Sequence, residues 1–205
     1  MHKSSLILLS AGMTLAQSGS VPATTFEGRP GVLLSNGKLE LTVMTQGATL
    51  AHLVLKDDPQ RLSPLWDPGQ YPAAAGGRGG GANGTLGHFV AVDGFGQPSA
   101  EERAAGMPQH GEAHLAAMDV QSGREGSVTS VTMTGKLPIA QEQFTRTFRM
   151  VDGENVISVD SQLENLLGFD RPVNWAEHAT LGSPFLEPGA VVVDFSASRS
   201  HTRNV

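Results

Sequence analysis

The sequence predicts an all-β fold, a sandwich of short antiparallel strands, and three observations lead there. Apolar and polar residues alternate with a period of two: Leu39, Leu41 and Val43 against Glu40 and Thr42, then Phe144 and Phe148 against Thr145, Thr147 and Arg149. Turn formers are frequent, with 25 Gly and 12 Pro in 205 residues. No stretch has the 3.6-residue apolar period of a full-length helix. Only Ser99 with Glu102 resembles a capping box, enough for one helical turn through Ala105.

The elements follow in order. Residues 1–16 read as a secretory signal peptide: His2 and Lys3 precede the apolar run from Leu6, and Thr14-Leu15-Ala16 fits the small-x-small cleavage pattern. Cleavage there leaves an exported chain, secreted or periplasmic, with no further membrane segment. Residues 17–31 are small and polar, read as a flexible leader before a sandwich domain over 32–205. Asn36-Gly37 between apolar runs predicts a hairpin. Gln46-Gly47 turns into a strand over residues 48–55, where His52 is read as structural. The Gly/Ala-rich run over 73–84 lacks a Gly-Lys-Ser/Thr ending, so a phosphate loop is discarded and a loop near a cleft mouth is expected. The sequon Asn83-Gly84-Thr85 matters only in a host that glycosylates exported chains. Leu86 to Val92 reads as a strand. Further strands are expected over Ala113–Val120, Val128–Thr134, Gln143–Met150, Asn155–Asn165, Val173–Thr180 and Val191–Phe195. The last has no closing partner after it, so the sandwich is expected to be incomplete at its C-terminal end.

Composition narrows the function. The formal net charge is −6 with no Lys/Arg cluster, which argues against nucleic acid as a partner. The chain has no cysteine, which removes disulfides, thiolate nucleophiles and Cys-based metal sites.

Two polar clusters can carry chemistry. His110-Gly111-Glu112-Ala113-His114 would, on a strand, place three side chains on one face and suit a divalent metal or acid–base work. A polar loop leading into a strand is the alternative, and Gly111 makes His110 a turn residue more readily than a strand residue. The second cluster lies in Val173-Asn174-Trp175-Ala176-Glu177-His178. On a strand, Asn174, Ala176 and His178 share one face while Trp175 and Glu177 take the other, which makes Glu177 a poor partner for His178. Histidine titrates near neutral pH and can supply or take up a proton in general acid–base work.

Asn174 and His178, in their Val-Asn-x-x-x-His arrangement, together with His110-Gly111, resemble the two histidine motifs of the aldose 1-epimerase (galactose mutarotase) superfamily. The resemblance runs from about Leu34 to Phe195 and implies the N-terminal part of a galactose mutarotase-like β-sandwich, or supersandwich. By that resemblance His178 is the general acid at the ring oxygen and His110 helps bind and polarise the sugar. Asn174, His114 and His88 would line the pocket, with a monosaccharide or related sugar as partner and no cofactor or metal. The family's arginine motif, Gly-Arg-x-x-Asn-Arg, is absent; Gly87-His88-Phe89 stands in its place. The family's late glutamate base has no counterpart, and Glu187 does not match it. Two other readings stand beside anomer interconversion. One is a noncatalytic carbohydrate-binding module, the other a metal-dependent β-sandwich enzyme using His110, Glu112 and His114. Oligomeric state is not legible.

Overall fold

The computed structural model describes residues 21–70, 85–194 and 196–199. The expected signal peptide, the sequon asparagine and the Gly/Ala-rich run lie outside these residues.

Two antiparallel sheets carry the chain, an all-β sandwich as the alternation predicts. The first runs β1 (Ala23–Phe26), β2 (Arg29–Ser35), β3 (Leu39–Met44), β4 (Leu50–Leu55), β5 (His88–Val92) and finally β10 (Trp175–Ala179). The second is the meander β6 (Asp119–Glu125), β7 (Val128–Leu137), β8 (Glu142–Val151) and β9 (Ile157–Asn165). The chain therefore leaves the first sheet after β5, builds the whole second sheet, and returns to pair β10 with β5. One short helix, α1 (Ala100–Ala104), starts at Ser99 with both capping-box bonds present.

Period-two alternation decides which faces meet. Val32, Leu34, Leu41, Val43, Val90 and Val92 from the first sheet pack against Val131, Met133, Phe144, Phe148 and Met150 from the second. The other face of β7 and β8 is polar, with Thr132 against Thr147 at 3.0 Å and Thr134 against Thr145 at 3.1 Å. The predicted Asn36-Gly37 hairpin forms between β2 and β3. Asn36 Oδ1 accepts from the amides of Lys38 and Leu39, and its Nδ2 donates to the carbonyls of Val151 and Glu154. One side chain thus closes the hairpin and ties it to the end of β8.

The structure corrects three expectations. The supposed leader contributes β1 and the start of β2, because the backbone of Ala23–Phe26 pairs with Arg29–Val32. Residues 113–120 do not form one strand: Ala113–Leu115 is a single 3-10 turn, and β6 begins only at Asp119. Residues 191–194 are not in a strand, and Val192 and Val193 are exposed.

Candidate functional site

The site lies on the outer face of the first sheet, the face turned away from the second sheet, and Phe89 is its floor. In β5 the inward residues Val90 and Val92 join the core, which leaves Phe89 buried on the opposite face. β10 pairs with β5 so that His178 lies opposite Phe89 and Ala176 opposite Ala91. The His178 ring stacks on Phe89 at 4.3 Å between centroids with 17° between planes. Its Nδ1 lies 3.0 Å from the Thr180 hydroxyl, which occupies that nitrogen and leaves Nε2 for a ligand.

His110 arrives from the excursion between β5 and β6. It has φ of 67°, and Gly111 has φ of 76°, two successive left-handed residues. Gly111 is required here on two counts. Side chains seldom tolerate that φ, and a Cβ at this position would lie 1.7 Å from the Val92 carbonyl oxygen. The His-Gly pair therefore lets the loop press onto β5 and set the imidazole over the sheet. The Gly96 amide donates to His110 Nδ1 at 3.2 Å, and the His110 amide donates to the Gly96 carbonyl at 3.1 Å. The other ring nitrogen also has a neighbour, the Gln109 side-chain amide 3.2 Å from His110 Nε2.

The 3-10 turn then presents His114. It is held close by Gly47, where a Cβ would lie 2.4 Å from the His114 carbonyl oxygen. Ring centroids place His110 5.4 Å from His178 and 6.1 Å from His114, and Phe89 touches all three. Phe95 closes the group from above, 5.7 Å from His110 and 6.0 Å from His178. Burial, then the charges of the neighbouring histidines, lower His114 to about 4. Burial, helped by His178, also lowers His110. Both shifts favour the neutral ring, as crowding among bases should.

A cavity of about 350 Å³ opens beside Phe89 and His114, bounded further by Arg29, Gln46, Thr49 and Leu86. That is the lower end of the size range for small-molecule pockets. A second cavity of about 390 Å³ is lined by Phe95, Asn174 and Arg171 among others, and by none of the three histidines.

Of the residues singled out from sequence, His110, His114 and His178 come together. Asn174 does not join them; it precedes β10, its carbonyl accepts from the Asp93 amide, its amide donates to the Asp93 carboxylate, and it borders the second cavity. His88 is a correction. It alternates with Phe89 and so faces the sandwich interior, where its Nε2 lies 2.6 Å from Glu177. Glu177 points inward as expected, and Arg146 of β8 bonds it at 2.9 Å. Burial works to raise the Glu177 carboxyl, but His88 and Arg146 together outweigh it and hold it below the usual carboxylate range.

Glu112 is the second correction. Its buried carboxylate accepts from the amides of Ile139 and Ala140 at 2.8–3.1 Å, so it caps the β7–β8 connection and does not converge with His110 and His114. Among the described residues no group of three or more His, Asp or Glu side chains is gathered for a metal ion. The metal-site reading of 110, 112 and 114 required a strand, and the chain makes a turn there instead.

Sequence reasoning missed Phe89 and Phe95, the rings that organise the histidines. Gly87-His88-Phe89 drew attention to the histidine, although the alternation of Phe89 with Val90 and Val92 already assigned it to the opposite face. Neither a protein-family model, nor a curated protein, nor a solved structure matches this chain.

Proposed function

We propose that this chain is a carbohydrate-active, mutarotase-like protein that opens and recloses the ring of an aldose. The observation that supports it is the meeting of His110 and His178, from segments more than sixty residues apart, on one aromatic floor beside a sugar-sized cavity. The aldose occupies the cavity next to His114 and Phe89, with its ring oxygen toward His178. His178 donates a proton from Nε2 to that oxygen as the bond to C1 breaks, while the anomeric hydroxyl loses its proton and becomes the carbonyl. Rotation about C1–C2 and reclosure on the other face give the second anomer, and His178 recovers its proton from the ring hydroxyl. His110, held over the sheet by Gly96, forms part of the same polar edge of the site. No cofactor enters the scheme.

The charges acting on His110 and His114 come from neighbouring histidines and not from a carboxylate. In this scheme the anomeric proton passes to water. The same observation favours a second reading, a carbohydrate-binding module that holds the sugar without opening it.

Polarimetry on a freshly dissolved single anomer separates the two. His178→Asn keeps polarity and approximate size but lacks the imidazole that would transfer the proton. It is expected to lower the protein-dependent rate about 10²-fold, the low end for a positioned acid, because no carboxylate base assists. Saturable sugar binding with no acceleration, unchanged by the substitution, would leave the binding module standing and remove the acid role.

A further inference from the structure

We propose that the free edge of β9 is a dimerisation edge, on which β9 of a second copy of this chain pairs antiparallel about Ser161. The second sheet runs one strand past the first. β8 lies over β10, the last strand of the first sheet, through Phe144 against Trp175 and Arg146 against Glu177. β9 lies a strand further out and, among the described residues, pairs only with β8. Burial falls accordingly. Phe144, Phe148 and Met150 of β8 are fully buried, while Leu163, Val159 and Ile157, opposite them on β9, are only partly so.

The four sheet ends are not alike. β1 has four residues and β10 five. β6 has Gly123 within it, and the Val21 amide docks on its Ser122 hydroxyl. Short strands and an interior glycine are poor templates for pairing. β9 has nine residues, without Gly, Pro or Lys, and its inward side chains from Ile157 to Asn165 include no charge. Its charges are Asp160 and Glu164 on the outward face, where they bond Arg149 and Gln143 of β8. These two carboxylates decide what can pair there.

A two-fold axis perpendicular to the sheet keeps both inward faces on one side, so each register is defined by the residue that meets itself. With Ser161 on the axis all nine residues pair. Val159 meets Leu163, Ile157 meets Asn165, Asp160 meets Gln162 and Ser158 meets Glu164, with no like charges opposed. Moving the axis to Asp160 sets that carboxylate against itself, and moving it to Gln162 sets Asp160 against Glu164. Just beyond the strand, Val156 and Leu166 are 57% and 50% exposed, and the Ser161 register brings each opposite the other. The strand therefore fits a copy of itself in one register. The histidine site, on the face of the first sheet turned away from the second, stays uncovered, so dimerisation is independent of the sugar reading.

The chain has no cysteine, which makes directed cross-linking clean. Ser161→Cys places two thiols across the axis, where opposed Cα atoms about 4.5–5.5 Å apart lie within disulfide range. Ser158→Cys places them about 20 Å apart. Oxidation of the full-length variants is expected to give a covalent dimer from the first and none from the second. Sedimentation of the unsubstituted chain is expected to show a dimer that dissociates at roughly 10 µM. Gln162→Asp opposes carboxylates at two symmetry-related pairs and should weaken it about fivefold, while Gln162→Lys should tighten it by a similar factor. All three positions are exposed, and thermal melts verify that each variant is folded. A chain that stays monomeric at about 100 µM would overturn the dimer; slow amide exchange along β9 in that monomer would show that another part of the same chain covers the edge. A dimer unaffected by Gln162→Asp, a folded Ser161→Cys variant that does not cross-link, or equal cross-linking of the two cysteine variants would overturn it as well.

Discussion

Gly111 and His114 show how much of the site depends on single positions. Gly111→Ala adds a methyl where the chain has φ of 76° and the Val92 carbonyl is 1.7 Å away, so the loop must lift. The left-handed strain alone is about 1–3 kcal/mol, and displacement of His110 should abolish its ring contact with His178. A denaturant titration measures the first effect, and histidine ring shifts in NMR measure the second. His114 makes a pH-dependent contribution. Its folded pKa, about 4, lies below the 6.5 of an unperturbed ring. The unfolded chain therefore binds the proton more readily, and stability is complete above pH 6.5 and declines as pH falls toward 4. The loss at the acid end is roughly 3 kcal/mol at most. His114→Gln should flatten the pH dependence of urea midpoints across that window; an unchanged slope would place the effect elsewhere. At this scale the sequence was informative where a rule is local. His110-Gly111 read as a turn because a glycine there signals positive φ, whereas the partner of Glu112 lies 27 residues away and no local pattern announces it.

β10 is the element on which both faces of the first sheet depend. Its outward face carries His178; its inward face carries Trp175, packed edge-on to Phe144, and Glu177, bonded to Arg146. Arg146 is only 2% exposed, so Glu177→Gln leaves a buried guanidinium without its counter-charge. Glu177 itself is partly solvated, which screens the pair, and the expected loss is about 1–3 kcal/mol. Double-mutant cycles with Arg146→Met measure the coupling, and a coupling near zero would show that solvent replaces the carboxylate. The start of β10 is anchored separately: Arg171 bridges Asp93 and the buried Glu142, and Asp93 in turn bonds the Asn174 backbone. Alternation in the sequence was enough to place His178 and Glu177 on opposite faces. It could not find the Arg146–Glu177–His88 group, because that depends on which sheet β10 joins.

Over the whole molecule, the two histidine segments are separated in the chain by the whole of the second sheet. β10 pairs with β5 across the entire β6–β9 meander, so the site's integrity is tied to a core it does not touch. Phe148, fully buried between the sheets, tests this. Phe148→Ala is expected to cost about 3–5 kcal/mol, and the His178 ring resonance should melt with the global transition, not before it. An earlier, separate loss of that resonance would mean that the β5–β10 pair opens independently. The fold class was legible because strand period and turn residues are local signals. The order of strands was not, since joining β10 to β5 is a non-local pairing that the sequence pattern leaves open.

The strict alternation of β10 has a consequence for how this chain can change over generations. Because His178 and Glu177 are adjacent, deleting one residue from the connection ahead of Arg171 need not disturb the site; the loop can absorb the loss. Deleting Ala176 inside the strand, with the pairing upstream preserved, exchanges the two faces: the imidazole takes the inward place of Glu177 and the carboxylate emerges on the outer face opposite Ala91. Substitution can tune this strand residue by residue, but a shift in length inverts it. Lineages carrying the site should therefore tolerate indels in the connection ahead of Arg171 and not from Trp175 to Ala179.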